Sequence, residues 1–134
     1  MCMKASDNRL ARTRDFNLLM KYGQWLNGRL FDIKVLELAR ITDFFPKKEN
    51  PEKFKKQLRL AYSVGVKISK KAVERNRLRR QLRESVRLFL KNNSFPQGLY
   101  LLFVAKKIAL NESYAEISQE VELLMTKIKK FVQC

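Results

Sequence analysis

The sequence predicts an α/β fold: a two-layer sandwich with the core order α-β-β-α-β-α and helices covering one face of a single sheet. Three observations carry this expectation. Two segments, "LFDIKVLEL" and "LRLAYSVGVKI", alternate apolar and polar residues with the period of a strand, and a third, "LYLLFVA", is apolar throughout. Two long segments, around "ERNRLRRQLRE" and from residue 113 to 131, repeat apolar residues with the period of a helix. The chain has 134 residues, 46% of them hydrophobic, which suits one domain with a modest core.

In chain order, residues 1–12 are polar and expected to be flexible. Thr13 is placed to cap a short helix, "RDFNLLMKY", whose Phe16, Leu19 and Met20 share a face, with Gly23 as its stop. The strand from Leu30 to Leu38 turns Phe31, Ile33 and Val35 one way and Asp32 and Lys34 the other. Residues 41–57 contain Pro46, Pro51 and many charges and read as a long loop or insertion, with Phe44, Phe45 and Phe54 touching the body. From Leu58 to Ile68 the apolar set Leu58, Leu60, Tyr62, Val64, Val66 and Ile68 faces the core; Arg59, Ala61, Ser63, Gly65 and Lys67 form a small, basic second face. A helix over 70–91 follows, with Ser69 as cap, then the turn "FPQG". "LYLLFVA" is apolar on both faces and predicts an interior strand. Ser113 and Glu116 make a capping box for a last helix with the stripe Ile117, Val121, Leu124, Ile128 and Phe131.

Charge dominates the functional reading. Lys and Arg number 29 against 13 acids, a formal net charge of +16, and such self-repulsion is explained by a polyanionic partner. It concentrates on the helix after Ser69. There Leu78, Leu82, Ser85, Val86 and Phe89 gather into one stripe, while Arg77, Arg79, Arg80, Arg83 and Arg87 take much of the remaining circumference and Arg75 lies near the apolar edge. Arg75, Arg79, Arg83 and Arg87 are like charges at i, i+4 spacing, each pair costing a few tenths of a kcal/mol in isolation. Phosphates would neutralise them, and the planar guanidinium fork suits phosphate oxygens and stacks on bases. An ordinary basic surface helix is the plainer reading of the pattern alone.

Other classes fit less well. The chain has no His, which removes Cys/His zinc sites and the commonest general base. Cys2 and Cys134 are the only cysteines and could pair only if the termini meet. No apolar run approaches a membrane span, and the N-terminus lacks a signal-peptide core. A cytoplasmic location and no membrane partner are expected. A protein-only nuclease would want clustered carboxylates; the densest acids, Glu112, Glu116, Glu120 and Glu122, read as the solvated face of the last helix.

The stretch "SVGVKISKKAVERNRLRRQLRE" resembles the signature of the bacterial ribonuclease P protein subunit. The shared pieces are Ser69-Lys70-Lys71, Ala72-Val73, Arg75-Asn76-Arg77, the pair Arg79-Arg80 and Arg83-Glu84. Upstream, Leu10, Asp15, Phe16, Gly23 and Arg29 match as well, and the resemblance covers nearly the whole chain. Two features depart from the family: the loop before the arginine helix is shorter, and the 41–57 connection is longer.

The resemblance implies a protein that binds the ribonuclease P catalytic RNA and precursor tRNA and assists removal of the 5′ leader. It implies that the chemistry and its magnesium ions belong to the RNA, with no catalytic residue and no metal in this chain. Lys70, Lys71, Arg75, Asn76, Arg77, Arg79, Arg80 and Arg83 would then contact the RNA subunit. The single-stranded leader would lie in a cleft between the sheet and the first helix, and Phe16 matches an aromatic position there. The family fold also joins its parallel strands by a left-handed crossover, against the usual preference.

The residues themselves support such a cleft. Ser63 and Gly65 leave room for a strand of nucleic acid, and Lys34, Arg59 and Lys67 supply charge. Asp32 is a poor neighbour for phosphate. Core packing is the competing role for Phe16, and a ribosomal or general RNA-binding protein is the competing function.

Overall fold

A computed structural model describes residues 13–38 and 58–133, and the side chains of 15–38 and 58–130. The expectations for residues 1–12 (with Leu10), the 41–57 connection and its phenylalanines, Cys2, Cys134 and the Phe131 side chain lie outside these residues. The chain forms α1 (Thr13–Tyr22), β1 (Gln24–Leu26), β2 (Phe31–Glu37), β3 (Leu58–Ser63), α2 (Ala72–Asn92), β4 (Leu99–Ala105), a 3₁₀ turn (Lys107–Asn111) and α3 (Tyr114–Gln133).

The sheet order is β1-β2-β4-β3. β4 runs antiparallel to β2 and parallel to β3, so it is central, which explains why "LYLLFVA" carries no polar face. Its parallel partner β3 is joined to it through α2, the connection to which the family resemblance attaches the left-handed crossover. The expected strands and helices are all present, and β1 is an addition: three residues that pair antiparallel with β2, Trp25 opposite Lys34.

The two sheet faces carry separate cores. On one, Phe31, Ile33, Leu60, Leu101 and Phe103 pack with α2 and α3. The buried residues of α2 are Leu78, Leu82, Ser85, Val86 and Phe89, the stripe read from the sequence. On the other face Leu36, Leu38, Tyr100 and Leu102 pack with Leu19 of α1. The two long helices therefore share one face, as expected, while α1 covers the opposite one. The apolar residues that β2 and β4 turn to that side require the cover.

Several local expectations change. In α1 only Leu19 of the expected face is buried; Phe16 and Met20 are 37% and 44% exposed, and Leu18 and Tyr22 pack instead. Gly23 closes the helix by donating to the Leu19 carbonyl at 2.9 Å, an approach that would leave an added Cβ only 2.5 Å from that oxygen. β3 stops at Ser63 rather than Ile68, because its partner ends soon after: Ser63 pairs with Val104, and β4 ends at Ala105. Val66 is consequently 63% exposed. The arginine helix starts at Ala72 with Lys71 as its cap residue, and no side chain caps it. Ser69 instead accepts a 3.1 Å bond from the Lys71 amide within the tight approach loop. Gly98, at φ 83°, makes the turn into β4 with a conformation that side chains rarely adopt.

The acids of α3 are not one solvated face. Glu120 is buried and accepts a 2.8 Å bond from the Leu30 amide. Arg29 reaches Glu112 at 3.6 Å and Glu116 at 3.4 Å, tying the turn before β2 to the start of α3. Ser113 does cap that helix, accepting from the Glu116 amide at 3.3 Å.

Candidate nucleic-acid interface

With its apolar stripe committed to the core, α2 turns its arginines outward. Several are held by backbone carbonyls. Arg75 donates to Ser69 O at 2.9 Å, Arg77 to Leu110 O at 3.3 Å, and Arg79 to Val64 O at 3.1 Å and to the Asn76 side chain at 2.9 Å. A carbonyl orients a guanidinium without cancelling its charge, and each fork keeps unused donors. Among the described residues none of Arg75, Arg77, Arg79, Arg80 and Arg83 pairs with a carboxylate; on this helix only Arg87 does, in a two-bond pair with Glu84 at 3.1 and 2.6 Å. That pair holds the Glu84 carboxyl below its ordinary pKa.

Arg83 lies over the Tyr62 ring, 6.0 Å from its centre, and Tyr62 stacks on Phe103 at 5.3 Å. Burial raises the Tyr62 phenol above its ordinary pKa, with the Arg83 charge opposing by a smaller amount. The phenol is therefore neutral where the arginines act. Lys70, Lys71 and Arg80 are exposed. The approach loop that carries the lysines is closed by Ile68 donating to Gly65 O at 3.0 Å and by the Arg75 and Arg79 bonds. All eight residues expected to meet an RNA subunit thus lie on α2 or immediately before it.

The second candidate surface is the sheet face that α1 partly covers. Strand register places Trp25, Lys34, Leu102 and Ala61 in one row across it. Arg59 and Ser63 flank Ala61 on β3; Arg59 is half-buried and Ser63 exposed. An added Cβ on Gly65 would meet nothing within 4 Å, so the space beyond the strand is open, and Lys67 stands exposed in the turn that follows. Phe16 is exposed on α1 and belongs to neither core cluster.

Lys34 is placed differently from the other cations of this surface. It is 7% exposed, donates to Met20 O at 2.6 Å, and sits 5.3 Å from the centre of the Trp25 ring. Its ammonium secures the end of α1 and lies beneath the surface. Asp32 is likewise engaged, with Lys106 at 3.3 Å and the Gly28 amide at 3.1 Å, so its charge is partly compensated. Two exposed aromatic residues escaped the sequence reading, Trp25 of β1 and Tyr114 at the start of α3. A lone Trp in a three-residue strand has no period, and the approach of Tyr114 to α2 exists only in the folded chain.

Among the described residues no cluster of three or more acidic or Cys side chains could hold a metal ion, and no helix is long and apolar enough to cross a membrane.

Comparison with known proteins gives a consistent picture. The family model described as Ribonuclease P matches residues 4–129. The ribonuclease P protein component of a Synechococcus strain is 36% identical over 126 residues, 93% of this chain and 84% of that protein. The component of a Prochlorococcus marinus strain is 33% identical, covering 90% of this chain and 92% of its own length. Among solved structures, the RNase P protein of Staphylococcus aureus superposes with a TM-score of 0.66 at 23% identity, over 90% of this chain and 94% of that one. That of Thermotoga maritima gives 0.66 at 22% identity, over 89% and 96%.

Proposed function

This chain belongs to the ribonuclease P protein family, as a protein component of the bacterial type, and from that premise we propose that it binds the catalytic RNA through α2 and the 5′ leader of precursor tRNA through the sheet face beside α1. The observation that carries the proposal is the row of guanidinium groups that the fold orients but leaves without a carboxylate partner among the described residues. Affinity from such a row comes mainly from phosphate neutralisation and counterion release. Lys70 and Lys71 extend it along the backbone, and Asn76 acts through Arg79, whose guanidinium it helps to hold.

At the second surface Phe16 offers a π face that stacks on any base, which suits leaders of many sequences. Arg59 and Lys67 follow the backbone, and the small Ser63 and Gly65 leave it room. Lys34 contributes by fixing the end of α1 against the sheet, so that the cleft keeps its width. The bond cleavage and the magnesium ions are assigned to the RNA subunit; this chain positions the leader and the RNA. A cytoplasmic location accords with this role.

Reconstitution tests the proposal. Purified protein added to the ribonuclease P RNA of the same organism should stimulate precursor-tRNA cleavage most at low magnesium, where positioning limits the reaction. A complex that forms with ribosomal RNA instead, and no stimulation of the ribonuclease P RNA, would favour a general RNA-binding protein.

A further inference from the structure

Where α2 passes the start of α3, an open notch of about 350 Å³ is lined by Arg77, Arg80, Gln81, Glu84 and Tyr114. The four α2 residues stand at i, i+3, i+4 and i+7, a single stripe of the helix. Tyr114, the first residue of α3, is 38% exposed. The fold does not demand an aromatic ring there. The buried stripe of α3 begins at Ile117, and the helix start is already secured by Ser113.

We propose that this notch receives one unpaired nucleotide of the catalytic RNA, its base stacked on Tyr114 and its flanking phosphates on Arg77 and Arg80; the proposal rests on the ribonuclease P reading above. An exposed ring beside guanidinium groups that pair with no described carboxylate is the arrangement that single-stranded nucleic acid uses. The bases of an A-form duplex are not open to stacking on a side chain, so the nucleotide is unpaired. The notch is at the small end of ligand sites, enough for one nucleotide. Its charges also set the orientation. Arg77 is fixed by Leu110 O. Glu84, held by Arg87 through two bonds, would repel a phosphate but accepts N–H groups from a base edge. The base therefore points toward Gln81 and Glu84.

The test uses the complete protein with its ribonuclease P RNA. Base-specific chemical probing of the RNA and RNA affinity are measured for the wild type, Tyr114→Leu and Tyr114→Phe, with thermal midpoints on the same samples. Tyr114→Leu should bind the RNA roughly 5- to 150-fold more weakly, the loss of one base stack. Its salt slope should be unchanged, because no phosphate contact is removed. One unpaired base that wild type protects should become reactive, and Tyr114→Phe should restore both protection and affinity. Ultraviolet crosslinking of the wild-type complex should join Tyr114 to that same nucleotide, a readout independent of any variant's folding. Wild-type affinity and protection in Tyr114→Leu, equal losses in the Leu and Phe variants, or a crosslink to precursor tRNA in place of the catalytic RNA would overturn the proposal. Failure of the wild-type protein to bind the RNA and stimulate cleavage would instead remove the functional reading beneath it.

Discussion

The Lys34 ammonium is buried against the Met20 carbonyl and the Trp25 ring, whereas Phe16, apolar and a candidate for the core, stands in solvent on α1. Each inverts what its side chain alone suggests, and each inversion is testable. Phe16→Leu keeps apolar bulk and removes the π face. It should leave the thermal midpoint near wild type, since the residue is outside both cores, while lowering affinity for precursor tRNA by ~1–3 kcal/mol and hardly changing that for mature tRNA. Equal precursor affinity in the variant and the wild type would rule out stacking by Phe16. Tyr62 gives a prediction with pH. Its folded-state pKa is raised by burial above the ordinary 10.0. The stability this contributes is complete below that pH and is lost as pH rises beyond it, because the unfolded phenol ionises first. Urea midpoints of wild type and Tyr62→Phe should run parallel below about pH 9.5 and diverge above it, with the Phe variant resisting alkali better; Phe keeps the stack on Phe103 and cannot ionise.

Within α2, arginines that look alike in sequence fall into two groups. Arg79 clasps Val64 O and Asn76, while Arg80 is exposed at the rim of the notch. Arg80→Ala should weaken RNA binding and make its salt dependence shallower with little change in thermal stability. Arg79→Ala should do the same and also cost about 1 kcal/mol of folding stability, by removing the bond to the strand end. Parallel measurements of salt slope and melting would show whether the two separate. The division was not legible in the sequence, because the carbonyls that receive Arg79 and Arg77 come from residues 15 and 33 positions away. The core stripe of the same helix was legible, because Leu78, Leu82, Val86 and Phe89 recur over many turns. α1 shows the converse. Its apolar residues Phe16, Leu18, Leu19, Met20 and Tyr22 span about 200° of the helix, so periodicity left open which part of that broad arc is buried. Glu120 defeats pattern reading for another reason: its partner is a backbone amide 90 residues away, which leaves no trace in local spacing.

At the scale of the whole molecule, the sheet separates two tasks. One face anchors α2, and the other, with α1, is the surface proposed above for the leader; a net charge of +16 suits both. If the RNA subunit carries the chemistry, as proposed above, the protein by itself, incubated with precursor tRNA and magnesium, should cleave nothing. Robust RNA-free cleavage, lost on mutating acids of this chain, would contradict that assignment. The order β1-β2-β4-β3 has a further consequence, for synthesis on the ribosome. Among the described strands β2 and β3 do not pair with each other; they are joined through β4, which is translated after both. At roughly 5–20 residues per second, the basic helix emerges on the order of a second before the strand that completes the sheet. During that interval the arginine helix lacks the strand pairs that complete its scaffold. A chain truncated after Asn93 should accordingly show no cooperative melting, and one extended through Ala105 should be the shortest to form the central strand pairs.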